Sequence, residues 1–100
     1  MTTNYEYGRN YEYAIKRRYE ARGMYVIRSA ASRGLFDLVA IGKTEIYLIC
    51  CRRRKWTDKE INYILKSIKR PENTFILFFS KILRKERIYI YNNNNVALSE

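Results

Sequence analysis

The chain contains no histidine and only two cysteines, and these are adjacent, Cys50 and Cys51. So few ligands exclude a structural zinc site. Consecutive strand residues point to opposite faces, so strain excludes a disulfide between them, and free thiols in a reducing, cytoplasmic compartment are expected. There is one proline, and no apolar run approaches the roughly 20 residues that cross a bilayer. Met1-Thr2-Thr3-Asn4 offers no apolar core of a signal peptide, so no leader is expected. Acidic residues are also scarce: ten Asp and Glu stand against twenty Lys and Arg, a net charge of +10.

What is present is apolar and aromatic, at 47% and 15% of the 100 residues. That composition excludes a disordered chain and bounds it to one small folded domain, whose modest core favours a partner subunit. The excess of cations calls for an anionic partner, nucleic acid before an acidic membrane surface. The cations are dispersed, and no long amphipathic segment sets a basic face against a bulky apolar one, so membrane binding is not expected.

Helix periodicity runs from Gly8 to Arg22 through Tyr11, Ala14, Ile15 and Tyr19, with Gly23 as a natural stop. Met24 to Arg28 suits a strand, and Ser29 to Gly34 a small-residue loop. Leu35 to Ile41 and Glu45 to Arg52 are apolar, β-branched runs joined by Gly42-Lys43-Thr44, a hairpin signal. Thr57-Asp58-Lys59-Glu60 is a capping box ahead of Ile61, Ile64, Leu65 and Ile68 on one helical face, ended by Pro71. Thr74 to Ser80 is apolar on both faces, as in a central strand covered by helices. A polar turn through Lys85-Glu86 precedes a near-edge strand from Arg87 to Tyr91. The expected order is αβββαββ in a single domain over residues 1–91, with a frayed polar tail over 92–100.

Candidate chemistry gathers on Glu12 of the first helix, Asp37 of the second strand, and Cys50 with Arg52 on the third, since residues two apart on a strand share a face. Each has a plainer reading. Glu12 pairs with Lys16 on an exposed helix face; Asp37, costly to bury unless paired or bound to metal, makes an ion pair with Arg52; Ser32 is a turn residue; Cys50 is a small buried hydrophobe. Arg52-Arg53-Arg54-Lys55 beside Trp56 reads either as a solvated turn or as a track for DNA phosphates. The tyrosines read as packing residues rather than base-stacking platforms.

From Gly8 to about Tyr91 the chain resembles the archaeal Holliday junction resolvases and related small endonucleases of the restriction-endonuclease-like superfamily. The resemblance is carried by Gly8-Arg9-Asn10-Tyr11-Glu12, by Gly23 to Ser32 leading into Phe36-Asp37-Leu38-Val39-Ala40, and by Tyr47-Leu48-Ile49-Cys50-Cys51-Arg52. It implies a three-layer α/β fold with a mixed central sheet flanked by helices. It also implies a magnesium-dependent or manganese-dependent endonuclease that hydrolyses phosphodiester bonds in branched or duplex DNA, as a homodimer serving recombination and repair. Carried over by position, Glu12 and Asp37 are metal ligands, Ser32 contacts the scissile phosphate and Arg28 lies near the DNA backbone; Arg9, Arg33, Arg53, Arg54 and Lys55 are the further cations expected along DNA. Cys50 stands where the family has a third oxygen ligand, and Arg52 where it has a lysine. A sulfur is a poor Mg²⁺ ligand, and arginine keeps the charge but cannot shuttle a proton. The alternative is a DNA-binding protein on the same fold with a decayed site. Abundant Tyr, Ile, Lys, Arg and Asn suit an AT-rich archaeal or viral gene.

Overall fold

Tyr11, Ile15 and Tyr19 recur at the spacing of one helical face and all three are buried, so α1 (Asn4–Glu20) lies with that stripe against the sheet. The helix stops where Gly23, at φ +87°, takes up a left-handed conformation and its N–H closes on the carbonyl of Glu20 at 2.9 Å. The computed structural model describes residues 4–29, 35–69, 72–92 and 96–99.

Strands β1 (Tyr25–Arg28), β2 (Leu38–Ile41), β3 (Ile46–Arg52), β4 (Thr74–Ile82), β5 (Lys85–Tyr91) and β6 (Val96–Ser99) form one sheet in that spatial order. Among the described strands β3 and β4 run parallel, and the other neighbours are antiparallel. The parallel pair needs a crossover, supplied by α2 (Asp58–Ser67). At its start Thr57 Oγ1 accepts the N–H of Glu60 at 3.2 Å, and Glu60 Oε1 accepts the N–H of Thr57 at 3.1 Å, the reciprocal box expected there.

The two helices serve opposite faces. Leu38, Ala40, Ile49, Leu77 and Phe79 close a core with α1, while Cys50, Ile76 and Phe78 close a second with Ile61 and Ile64 of α2. β4 supplies both, and its run from Ile76 to Phe79 is fully buried. Each such side chain contributes about 1.5–3 kcal/mol of burial, so β4 is the wall that holds the layers together. The result is the expected three-layer α/β arrangement with a mixed sheet.

The β-hairpin at Gly42 forms as expected, with its N–H donating to the carbonyl of Glu45 at 2.8 Å. Two other expectations are corrected. The turn before β5 falls at Leu83-Arg84 rather than Lys85-Glu86, because Lys85 and Glu86 already pair with Ile82 and Lys81 in the ladder. Within the stretch expected as a polar tail, Val96–Ser99 adds a strand to β5 and pairs an otherwise open edge.

Candidate active site

Asp37 sits one residue before β2 and opposite β3. Its N–H donates to the carbonyl of Ile49 at 2.8 Å, and its Oδ2 accepts the N–H of Cys51 at 2.9 Å. This bond turns the carboxylate toward α1, where Glu12 lies. Ligand atoms of Glu12, Asp37 and Cys51 all fall within 4.8 Å of one another.

Glu12 is not paired with Lys16, which instead bonds Glu20 at 2.7 Å. Its partner is Arg28 at the end of β1, with Nε 3.0 Å from Glu12 Oε1 and side-chain exposures of 14% and 15%. The Arg28 guanidinium also lies 4.6 Å from the centre of the Tyr13 ring. Burial pushes the Glu12 carboxyl above the ordinary carboxylate range, the charge of Asp37 adds to this, and Arg28 opposes it. Asp37 is raised as well, by burial, against the pull of the Cys51 N–H and of the charges on Arg52 and Arg28. Two half-buried carboxylates thus crowd one spot on the α1 side of the sheet, an arrangement that a divalent cation relieves.

Cys50 is not the thiol that joins them. It is 1% exposed, packs with Ile61 and Ile64, and donates through Sγ to the carbonyl of Leu35 at 3.3 Å. Strand alternation does put Cys50 and Arg52 together, but on the α2 side, and leaves Cys51 facing the carboxylates. Burial, with the charge of Asp37, pushes the Cys50 thiol up to about 12; burial and the two carboxylates push Cys51 up further. Both are neutral thiols when no metal is bound.

Arg52 does not pair with Asp37. Its Nη1 lies 2.7 Å from Glu60 Oε2 and donates to the carbonyl of Lys55 at 3.3 Å, while the guanidinium covers the Trp56 ring at 3.7 Å. Trp56 is in turn fixed by donating Nε1–H to the carbonyl of Phe79 at 2.9 Å. Asp37, both cysteines, Arg52, Trp56 and Glu60 border an open cleft of about 670 Å³ on the α2 side, so the cation reaches the acidic site from the side of Asp37 rather than of Glu12. Glu60 is held down to about 2 by the hydrogen bond from Arg52, then by those from Thr57.

Of the residues expected along DNA, Arg9, Arg53, Arg54 and Lys55 are exposed and Arg28 is half-buried; Ser32 and Arg33 lie outside the described residues. Sequence reasoning missed Glu60, whose role beyond the capping box depends on Arg52 reaching it from β3. It also missed Glu86, which accepts Tyr11 Oη–H at 2.8 Å and two bonds from Arg18 at 2.8 and 3.2 Å. Nothing near Glu86 in the sequence signals a partner 68 or 75 residues away.

Residues 3–64, well over half of the chain, match a family model described as archaeal Holliday junction resolvase (hjc). No curated protein matches the chain. Glu12, Arg28, Asp37, both cysteines, Arg52 and Glu60 all fall inside the matched span, and β4 to β6 fall beyond it. No helix among the described residues is long and apolar enough to cross a membrane.

Proposed function

The chain belongs to the archaeal Holliday junction resolvase family, and from that premise we propose that it cleaves branched DNA by hydrolysis at the site formed by Glu12, Asp37 and Cys51. The observation that carries this is the convergence of two raised carboxylates from separate elements on one thiol. The family is one of divalent-metal-dependent nucleases. The donor set here fits one divalent ion held through Glu12 and Asp37, with Cys51 as a softer third donor; Mg²⁺ needs only one or two carboxylates besides water and phosphate, and Mn²⁺ accepts the sulfur more readily. Such an ion supplies a water of lowered pKa and positive charge beside the scissile phosphate.

The protein's own residues do the rest. Arg28 keeps Glu12 oriented, and the Cys51 N–H keeps Asp37 oriented. In hydrolysis the water oxygen forms a bond to phosphorus, the bond from phosphorus to O3′ breaks, and the departing oxygen takes a proton, leaving a 3′-hydroxyl and a 5′-phosphate. The Arg52 guanidinium serves as a phosphate clamp that offsets the charge gathering on the pentacovalent phosphorus. Its engagement with Glu60 places a competing carboxylate against that clamp. The exposed Arg9, Arg53, Arg54 and Lys55 extend the site along the DNA backbone. A homodimer with two such sites, acting on cytoplasmic DNA in recombination and repair, suits paired cuts in a four-way junction.

The test is incubation of the purified protein with labelled four-way junctions in Mg²⁺ or Mn²⁺. Nicked strands that disappear in Asp37→Asn are the expected result. Tight junction binding without cuts under either ion would defeat the enzymatic reading in favour of a non-cleaving DNA-binding protein.

A further inference from the structure

Beyond the span matched by the family, the β4–β5 hairpin projects a turn whose tip is apolar. Leu83 is 84% exposed and adopts a positive φ of 56°, a conformation rare for a bulky residue. Among the described residues nothing shelters this side chain, and the neighbouring Ile82 is also exposed. The hairpin forms one bank of a groove of about 970 Å³ whose lining includes Trp56 and Tyr89 together with Lys55, Arg84, Lys85 and Arg87. No carboxylate among the described residues lines it. Trp56 also borders the cleft that holds Asp37 and Arg52, so the groove and the acidic site share a wall.

We propose that this hairpin is a junction-reading element. Lys55, Arg84, Lys85 and Arg87 hold backbone phosphates, and Leu83 enters a base step that branching has already weakened. Apolar wedges flanked by cations act in this way where bases unstack, and an interrupted stack lowers the cost of entry. The proposal rests on the reading of the site as a nuclease for branched DNA and names how branching is sensed. A second copy of the chain fits the groove less well: a two-fold interface sets a patch against itself, here four cations against the same four. Phosphates complement that charge instead.

The experiment uses the full chain and four-way junctions carrying 2-aminopurine at the branch point, with linear duplex of the same sequence as control. Leu83→Asn removes the apolar tip, and asparagine tolerates the left-handed backbone, so the fold is retained. Wild-type protein is expected to raise the fluorescence of the branch-point base. Leu83→Asn is expected to lose that rise and to bind junctions about tenfold more weakly, with duplex binding unchanged. Replacing Arg84, Lys85 and Arg87 together by alanine is expected to weaken both DNAs and to reduce the salt slope by about three.

Equal junction affinity and equal fluorescence in Leu83→Asn overturn the hairpin's role. So does conversion of a dimer to a monomer by that variant, which would assign the tip to contact between copies, or preferential capture of phosphatidylserine vesicles over junction DNA. If the wild-type protein cuts junctions while Leu83→Asn behaves identically, only the hairpin proposal falls. If the wild-type protein neither binds nor cuts them, the nuclease reading falls with it.

Discussion

The backbone N–H of Cys51 donates to Asp37 at 2.9 Å, while the sulfur of the same Cys51 lies within 4.8 Å of ligand oxygens of both Asp37 and Glu12. One residue therefore both aims a carboxylate and completes the group around it. Asp37→Asn preserves an oxygen to accept that N–H and removes only the charge.

Cleavage by Asp37→Asn is expected to fall on the order of 10²-fold or more, through loss of the charged ligand. Its metal-free stability moves the other way. Burial holds the Asp37 pKa above 3.8, so ionisation opposes folding: the penalty is absent below the unfolded value, grows as pH rises through the carboxylate range, and is complete above the folded value. Thermal unfolding in chelator, followed from acid to neutral pH, should show wild-type stability declining relative to the Asn variant across that window. Parallel curves would contradict it.

Arg28→Ala leaves Glu12 half-buried beside Asp37 without its partner at 3.0 Å. A loss of about 1–3 kcal/mol in denaturant-derived stability is expected. Combining Arg28→Ala with Glu12→Gln should recover much of it, since the unpaired charge is gone.

The two thiols separate by metal titration. Addition of Cd²⁺ to the reduced protein should produce a thiolate-to-metal charge-transfer band in the ultraviolet. Cys51→Ser should abolish the band and Cys50→Ser should retain it, because only Cys51 faces the carboxylates. A band that depends on Cys50 would reverse the assignment.

Glu60 stabilises the Arg52 and Trp56 arrangement in its charged form. Its pKa is lowered from 4.5 to about 2, so the stabilisation is fully present above 4.5 and is lost as pH falls toward 2. Trp56 emission should change across that acid window as the guanidinium leaves the ring. Glu60→Gln should remove the transition and, by freeing Arg52 from a competing carboxylate, tighten binding of phosphate-rich DNA.

Much of the fold is legible because local and tertiary demands agree. The Thr57 box, the Tyr11, Ile15 and Tyr19 stripe and the two-faced run in β4 each say locally what packing then requires. The β4–β5 turn is harder to place: Leu83 looks like strand, and the polar Glu86 looks like turn until its carboxylate is claimed by Tyr11 and Arg18 of α1. Within the site, Glu12 and Asp37 could be singled out, and alternation correctly groups Cys50 with Arg52. It cannot say which face the Asp37 carboxylate takes, since that depends on its bond to the Cys51 backbone. Nor does the sequence around Arg52 reveal that Glu60 and Trp56 hold it.

β3 divides the two cores, so its adjacent cysteines inhabit different compartments although a single peptide bond joins them. Cys51 packs toward α1 and Cys50 is buried against α2. Cys51 is half-buried and borders the open cleft, whereas Cys50 is 1% exposed, so a thiol reagent meets Cys51 first and labels Cys50 fully only when α2 lifts, and mass spectrometry can tell the modified residues apart. Labelling of Cys50 therefore gauges detachment of the second helix, with its neighbour Cys51 as a built-in reference on the same strand.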